Sequence, residues 1–243
     1  MVISVNNGAY IKAVKLKDKK YRDEYGLMLV EGEKLVKDAL KYGYEAESIF
    51  LTEGKQTELY DSIKRYTVTD RMMKRLSAKT TPQGIVALIR KKPNEPKIPE
   101  GKSLILENIQ DPGNLGAILR TACGAGYNDV YCCGGADPYS PKSLASGMSA
   151  QFAIRIYECG IEQAFALNGS NEIICCDMNG ESLYSFRAKT DHALVLGNEG
   201  QGVSKYVTEN SEKKIGIPME NGLESLNVAV SAGIMMYMLK RSD

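Results

Sequence analysis

The chain has 243 residues, 43% of them hydrophobic, and carries 31 Lys and Arg against 30 Asp and Glu for a net charge of +1. That length and apolar content support one large domain or two modest ones with real cores. The apolar runs are only a few residues long and Met1 to Val14 holds no long apolar stretch with a cleavage site, so a cytoplasmic protein is expected.

In chain order, Ile11 to Arg22 is a lysine-rich segment with Ile11, Val14 and Leu16 on its apolar side. Leu27 to Val30 reads as a short strand. Glu33 to Lys41 reads as a helix, because Leu35, Val36, Ala39 and Leu40 fall at helical spacing and Gly43 follows where a C-terminal cap belongs. Ser48 to Leu51, Tyr66 to Val68 and Ile85 to Ile89 are predicted strands, with a short helix over Asp70 to Leu76. Arg90 to Gly101 holds three prolines, several charges and almost no apolar content, so it is expected to pack poorly and to act as a linker. This divides the chain into a domain over residues 1–90, a linker over 91–100 and a domain over 101–243.

Beyond the linker, short apolar runs alternate with Gly-rich turns and helical segments. The runs are Ser103 to Leu106, Val130 to Cys133, Ile154 to Tyr157, Ile173 to Cys176, Ala193 to Leu196 and Lys214 to Ile217. Such alternation predicts an α/β fold with a buried, mostly parallel sheet and helices on both faces. Ligands of such sheets sit at the carboxyl ends of the strands.

Charge is divided along the chain. Residues 1–100 hold 20 Lys and Arg against 14 Asp and Glu, whereas residues 101–243 hold 11 against 16. A basic first part suits an anionic partner such as nucleic acid, or is simply a solvated lysine face. The six cysteines, Cys123, Cys132, Cys133, Cys159, Cys175 and Cys176, form no CxxC pair and read as reduced thiols, the adjacent pairs lying in strands. His192 is the only histidine and stands just before an apolar strand, which leaves little room for a zinc site or a His-based triad.

Three junctions that follow strands concentrate Gly, Asn, Ser, Glu and one Arg. In the first, Asp111-Pro112-Gly113-Asn114 makes a tight turn from which Asn114 is expected to cap a helix beginning at Leu115. Leu115, Ile118, Leu119 and Ala122 would face the sheet. Arg120 lies off that stripe between Gly116 and Gly124, where an anionic ligand could approach, although an ordinary surface arginine has the same pattern. In the second, Gly197, Gly200 and Gly202 would let backbone groups meet a flat ligand, while Glu199 would orient a donor or hold the loop by accepting backbone amides. No dinucleotide fingerprint opens the first helix, and no GxxxxGK[ST] loop occurs. In the third, Ile217-Pro218-Met219 ends a strand and Ser225 is expected to cap the last helix, with Asn227 reaching outward and Val230, Ile234, Met235 and Met238 on the apolar side.

These segments resemble the three motifs of the SpoU branch of the SPOUT methyltransferases. Asn114, Gly116, Ile118, Arg120, Thr121 and Ala122 match the first, Leu196 to Gly200 with Gly202 the second, and Ile217 to Met219 with Ser225 to Ala229 the third. Residues 1–90, with Leu29-Val30-Glu31-Gly32 and Pro82-Gln83-Gly84-Ile85, resemble the small ribosomal-protein-like substrate-binding domain that precedes many of these enzymes. The resemblance implies a C-terminal trefoil knot, a homodimer, and S-adenosylmethionine as cofactor, held by Leu196, Gly197, Asn198, Gly202, Ile217, Met219 and Leu226. It implies methylation of a ribose 2′-hydroxyl of RNA, ribosomal RNA ahead of transfer RNA, with no metal required. Arg120 would be the central catalytic residue, acting as a base enabled by an RNA phosphate or as a phosphate clamp aligning the ribose, and Asn114, Glu199, Ser225 and Asn227 would position the reactants. The rival readings are a non-catalytic RNA-binding protein on the same fold, such as a ribosome assembly factor, and a small-molecule enzyme using another nucleotide.

Overall fold

The computed structural model describes residues 1–57, 62–92 and 94–239; Pro93 of the expected linker lies outside the described residues. The first part of the chain runs α1 (Gly8–Lys15), α2 (Lys19–Tyr25), β1 (Leu27–Glu31), α3 (Glu33–Lys41), β2 (Ala46–Thr52), β3 (Arg65–Val68), α4 (Asp70–Leu76) and β4 (Ile85–Arg90). Its strands form a sheet in the order β1-β4-β2-β3, antiparallel except for the parallel β2/β3 pair. Strand alternation supplies both faces. Leu27, Leu29, Val86 and Leu88 pack on α1 and α4, whereas Met28, Val30, Ala87 and Ile89 pack on α3.

α1 differs from the sequence expectation. Asn7 caps it by accepting from the Ala9 amide, and in the resulting phase Tyr10, Ala13 and Leu16 are buried while Ile11 is turned out to solvent. The packed face is the one carrying Tyr10, Ala13 and Leu16, which bury against Leu27, Phe50 and Leu88 of the sheet.

The second part runs β5 (Ser103–Glu107), α5 (Pro112–Ala125), β6 (Asp129–Cys133), α6 (Pro141–Gly147), α7 (Ala150–Ala153), β7 (Arg155–Glu158), α8 (Ile161–Leu167), β8 (Glu172–Ser182), β9 (His192–Leu196), α9 (Lys205–Asn210), β10 (Lys213–Gly216) and α10 (Val228–Leu239). All six strands are parallel, in the order β10-β8-β9-β5-β6-β7. Leu104 and Leu106 of β5 face α5 and α10, while Ile105 faces the side covered by α8 and α9. Strand order reverses at β5, which lies between β6 and β9, so a crevice opens beyond the carboxyl ends of β5 and β9.

The proline-rich segment packs better than its composition suggests. The Lys91 amide donates to the Gly26 carbonyl, Asn94 Nδ2 to the Ile156 carbonyl and the Glu100 amide to Asp129, while the Lys97 carbonyl accepts from the Tyr131 hydroxyl. Polar groups, not apolar area, bind it to both sheets. The apolar layer is also shared, since Leu35, Val36 and Tyr44 belong to the same core as Leu144, Phe152 and Leu119.

His192 is structural. It is buried in β9, with Nδ1 on the Lys189 carbonyl at 2.8 Å and Nε2 receiving the Tyr127 hydroxyl at 2.6 Å. All six cysteines are free; Cys132, Cys133 and Cys175 are buried in strands, and Cys123, Cys159 and Cys176 are half-buried. Among the described residues no helix is long and apolar enough to cross a membrane, and no cluster of three His, Cys, Asp or Glu residues is placed to hold a metal ion.

Candidate active site

The loop leaving β5 turns through Asn108, held in the left-handed region at φ 57°. The helix that follows starts earlier than its sequence suggests. Asp111 caps it, accepting from the amides of Gly113 at 2.7 Å and Asn114 at 2.9 Å, and Pro112 occupies the first turn, where its missing N–H is no loss. Lys142 Nζ lies 2.6 Å from the other Asp111 oxygen, and together with the capped amides it holds this carboxyl below the usual carboxylate range. Because Asp111 caps the helix, Asn114 is released from that duty.

Asn114 instead joins the three junctions. Its Nδ2 donates to Glu199 Oε1 at 3.2 Å, and its Oδ1 accepts from Asn227 Nδ2 at 3.1 Å. Glu199 also accepts from the backbone amides of Gln110 and Asp111, both at 3.2 Å. Partial burial would raise the Glu199 carboxyl, but its own amide and the donors from Asn114, Gln110 and Asp111 outweigh that and hold it low. Glu199 therefore ties the second junction to the first by accepting backbone amides and orients Asn114 as well.

The Gly197–Gly202 loop closes on itself through paired backbone bonds between Asn198 and Gly202, each 2.9 Å. Asn198 Oδ1 accepts from the amides of Gly200 and Gln201, and its Nδ2 donates to the Asn108 carbonyl. Gly197 is required by this closure: a Cβ there would lie 2.3 Å from the Gly202 carbonyl carbon and 2.4 Å from the Val203 nitrogen. At α10 the cap is Asn227, not Ser225, since Asn227 Oδ1 accepts from the Ala229 and Val230 amides. The helix accordingly starts at Val228 and buries Ala232, Met235, Met236 and Leu239, leaving Ile234 and Met238 half-buried and Val230 at the surface.

Gly116 has a different role from the one its sequence position suggests. A Cβ there would lie 2.4 Å from the Ser143 carbonyl oxygen and 2.7 Å from Ser146 Cβ, so this glycine lets α6 seat against α5 and is closed to any ligand. Gly124 likewise faces Tyr237 of α10. The expected apolar stripe of α5 is buried, and Arg120 stands off it, exposed. Arg120 makes no hydrogen bond or ion pair within the described residues.

Beside the Glu199–Asn114–Asn227 chain lies a cleft of about 460 Å³. Leu196, Gly197, Asn198, Gly202, Ile217, Met219 and Leu226 all line it, as do Glu199 and Ser225, whereas Asn114, Arg120 and Asn227 stand outside its wall. Ser225 makes no hydrogen bond within the described residues, so it is not joined to the polar chain. The wall also takes in Asp177, Met178, Ser231 and Met235, which sequence reading did not single out. Asp177 and Met178 reach it because β10 shifts register against β8, pairing Lys214 with Cys175 and then Ile215 with Glu181. No local pattern announces such a shift. Every charged residue of the wall, Asp177, Glu199 and Glu224, is acidic.

Residues 101–237 match the model of the SpoU rRNA Methylase family. The chain belongs to the SpoU family. Its first part, residues 9–87, matches the MRM3-like substrate binding domain. As a SpoU protein it is an RNA methyltransferase. It is 31% identical over 232 residues, 93% of either chain, to the Bacillus subtilis 23S rRNA (guanosine(2553)-2'-O)-methyltransferase RlmP. It is 28% identical to the human mitochondrial rRNA methyltransferase 3, covering 93% of this chain and 70% of the human one. Among solved structures, the AdoMet-bound rRNA methyltransferase from Sinorhizobium meliloti superposes with a TM-score of 0.89 at 25% identity, covering 99% of this chain and 97% of that one. An RNA 2'-O ribose methyltransferase superposes with a TM-score of 0.86 at 26% identity, covering 99% and 98%.

Proposed function

We propose that this protein transfers the methyl group of S-adenosylmethionine to a ribose 2′-hydroxyl of ribosomal RNA. The observation that carries the reading is the convergence of three distant junctions on one cleft, whose wall holds carboxylates as its only charges. A di- or triphosphate would meet Asp177, Glu199 and Glu224 there, whereas a nucleoside bearing a sulfonium and an ammonium meets no opposing cation in the wall. The residues thus fit S-adenosylmethionine, with Leu196, Gly197, Asn198, Gly202, Ile217, Met219 and Leu226 holding it. Bound there, it supplies an electrophilic methyl group.

The chain's own residues do the rest. Asn114 and Asn227, locked to each other and to Glu199, present a preset polar edge beside the cleft. Arg120, on the same helix as Asn114 and without a partner among the described residues, can take an RNA phosphate and so bring the ribose oxygen into line with the methyl carbon. A guanidinium, with five donors in a planar fork and no acceptor, is an alignment and charge-stabilising group before it is a base. Ser225, in the wall and likewise without a partner among the described residues, is available to cofactor or ribose.

RNA also needs a surface. The first domain has a groove of about 600 Å³ lined by Thr52 to Lys55, Asp70, Met73, Lys74 and Thr80 to Gly84. Its wall carries Lys55 and Lys74 as well as Glu53 and Asp70, and the two lysines make no ion pair within the described residues, which leaves them available to RNA phosphates. α10 supports the homodimer: it is apolar all round, yet Val230 and Tyr237 are each half exposed, so a second copy would cover that face.

The test is methyl transfer from labelled S-adenosylmethionine to ribosomal and transfer RNA from cells lacking the protein. Label is expected in ribosomal RNA, and Arg120→Ala should lower turnover at least 100-fold with cofactor affinity unchanged. Near-normal turnover by that variant would remove Arg120 from the chemistry. Label in transfer RNA alone would overturn the substrate assignment.

A further inference from the structure

α6 is held between β1 of the first domain and α5, the helix that carries Asn114 and Arg120. On one side Pro141 and Leu144 line one small cavity together with Leu29, Leu35 and Leu76 of the first domain, Leu144 sharing a core with Leu35, and Leu144 is 2% exposed. On the other side the Ser143 carbonyl and Ser146 lie against Gly116 of α5 so closely that no Cβ fits between them. The turn leading into α6 is bolted to the first domain by Arg22 of α2. Arg22 Nε donates to Asp137 Oδ2 at 2.7 Å, Nη2 lies 2.7 Å from the same oxygen, and Nη1 donates to the carbonyls of Leu16 and Lys17, each at 2.8 Å. Both side chains of the pair are only 4% exposed. Asp137 in turn accepts the Tyr139 amide through Oδ1 and the Ser143 hydroxyl through its carbonyl, which extends the bolt into α6.

The groove of the first domain hangs on the same strut. Glu31, beside Pro141 and Ala145 of α6, accepts from the Ser77 hydroxyl at 2.7 Å and from the Ala78 and Gln83 amides at 3.2 Å. It thereby anchors the segment whose residues Thr80 to Gly84 form one wall of the groove. The groove wall is thus anchored on Glu31, which lines one small cavity with α6, and α6 seats on Gly116 of the helix that carries Asn114, the centre of the Glu199–Asn114–Asn227 chain.

A buried ion pair gains little stability over an apolar pair of similar volume, because desolvation offsets the attraction, so its value lies in fixing one geometry. We propose that Arg22 and Asp137 are positioning residues that determine which nucleotide is methylated. They set the distance and angle between the RNA-holding groove and the methyl-transfer centre, so that RNA seated in one delivers a single ribose to the other. The inference rests on the proposed RNA methylation and adds where its site selectivity resides.

The test uses the full-length protein with the double substitution Arg22→Met and Asp137→Leu, which removes the pair without stranding a buried charge, and the single Asp137→Asn, which keeps the shape and loses the ion pair. Ribose methylation is mapped nucleotide by nucleotide on the ribosomal RNA that the wild type modifies, alongside cofactor affinity by calorimetry. The expected result is cofactor affinity within twofold of wild type, a tenfold or greater fall in kcat/KM at the native nucleotide carried mainly by kcat, and new methylation at neighbouring nucleotides. A merely structural role would lower the active fraction without moving the methylated position. Folded variants that methylate the native nucleotide alone would overturn the inference and leave the methyltransferase reading standing. A wild type that binds cofactor and methylates no RNA would overturn both.

Discussion

Replacing Gly197 by alanine tests whether the backbone closure of the Gly197–Gly202 loop shapes the cofactor cleft. The new Cβ would stand 2.3 Å from the Gly202 carbonyl carbon and oxygen and 2.4 Å from the Val203 nitrogen. Ordinary carbon–carbon separations are about 3.5–4.0 Å, so the loop must open by more than about 1 Å. The obstacle is backbone, so no side-chain rotation relieves it. Overpacking of this kind costs about 1–3 kcal/mol, and the paired Asn198–Gly202 bonds that would be stretched add about 0.5–1.5 kcal/mol each. If the loop opens in the free protein and must close on the ligand, the combined cost of about 2–6 kcal/mol emerges as an affinity for S-adenosylmethionine weaker by about 30-fold or more, at about 1.4 kcal/mol per tenfold. Calorimetric titration with the cofactor measures it. Gly200→Ala in the same loop is the internal control: its Cβ would meet nothing closer than Asn198 Oδ1 at 3.7 Å, and its affinity should stay within twofold of wild type. The reasoning fails if Gly197→Ala binds as wild type does, or if Gly200→Ala loses as much.

Glu199→Gln puts an amide nitrogen where Gln110, Asp111 and Asn114 all donate, so at least one donor faces a donor. Methyl transfer should fall at least about tenfold, the equivalent of about 1.4 kcal/mol in the barrier, with the melting temperature within about 2 °C because the site is exposed; an active enzyme that melts early would contradict this. Burial pushes His192 below its ordinary value, against the raising effect of the Lys189 carbonyl. The unfolded chain then takes up this proton first, so stability is full above about pH 6.5 and is lost as the pH falls from there through the lower folded value. Urea midpoints measured between pH 7.5 and 5 should fall more steeply for wild type than for His192→Gln, and parallel slopes would remove His192 from the acid sensitivity. The double substitution of Lys55 and Lys74 by Gln should weaken RNA binding at low salt and flatten the plot of log affinity against log salt by about 0.7 for each single-strand phosphate no longer neutralised. An unchanged slope would place the RNA elsewhere.

These charge substitutions are a better probe of RNA affinity than removal of the first domain. The two sheets share one apolar layer, so cutting the chain after the proline-rich segment would expose Leu144 and Phe152 along with the RNA-binding change under study. Composition alone makes that segment look separable. Its attachments are the Tyr131 hydroxyl, the Asp129 carboxylate and the Ile156 carbonyl, all contributed from far along the chain.

What the sequence determined by itself is what depends on neighbours within a turn or a pleat. Continuous apolar runs marked β1, β4 and β5 as strands buried on both faces, the spacing of Leu115, Ile118, Leu119 and Ala122 specified the buried side of α5, and the clustering of Gly, Asn, Ser and Glu after strands marked the ends at which a parallel sheet opens a crevice. The tertiary structure alone decided which polar residue took which duty. Asp111 became the cap and freed Asn114, Asn227 displaced Ser225 at α10, and Gly116 was claimed by α6. It also turned Arg22, one cation of a basic segment, into a buried partner of Asp137, 115 residues away. Periodicity reports which side of an element faces inward. A hydrogen bond or a close backbone approach is settled by whichever group arrives on the other side, and that group is brought there only when distant strands assemble.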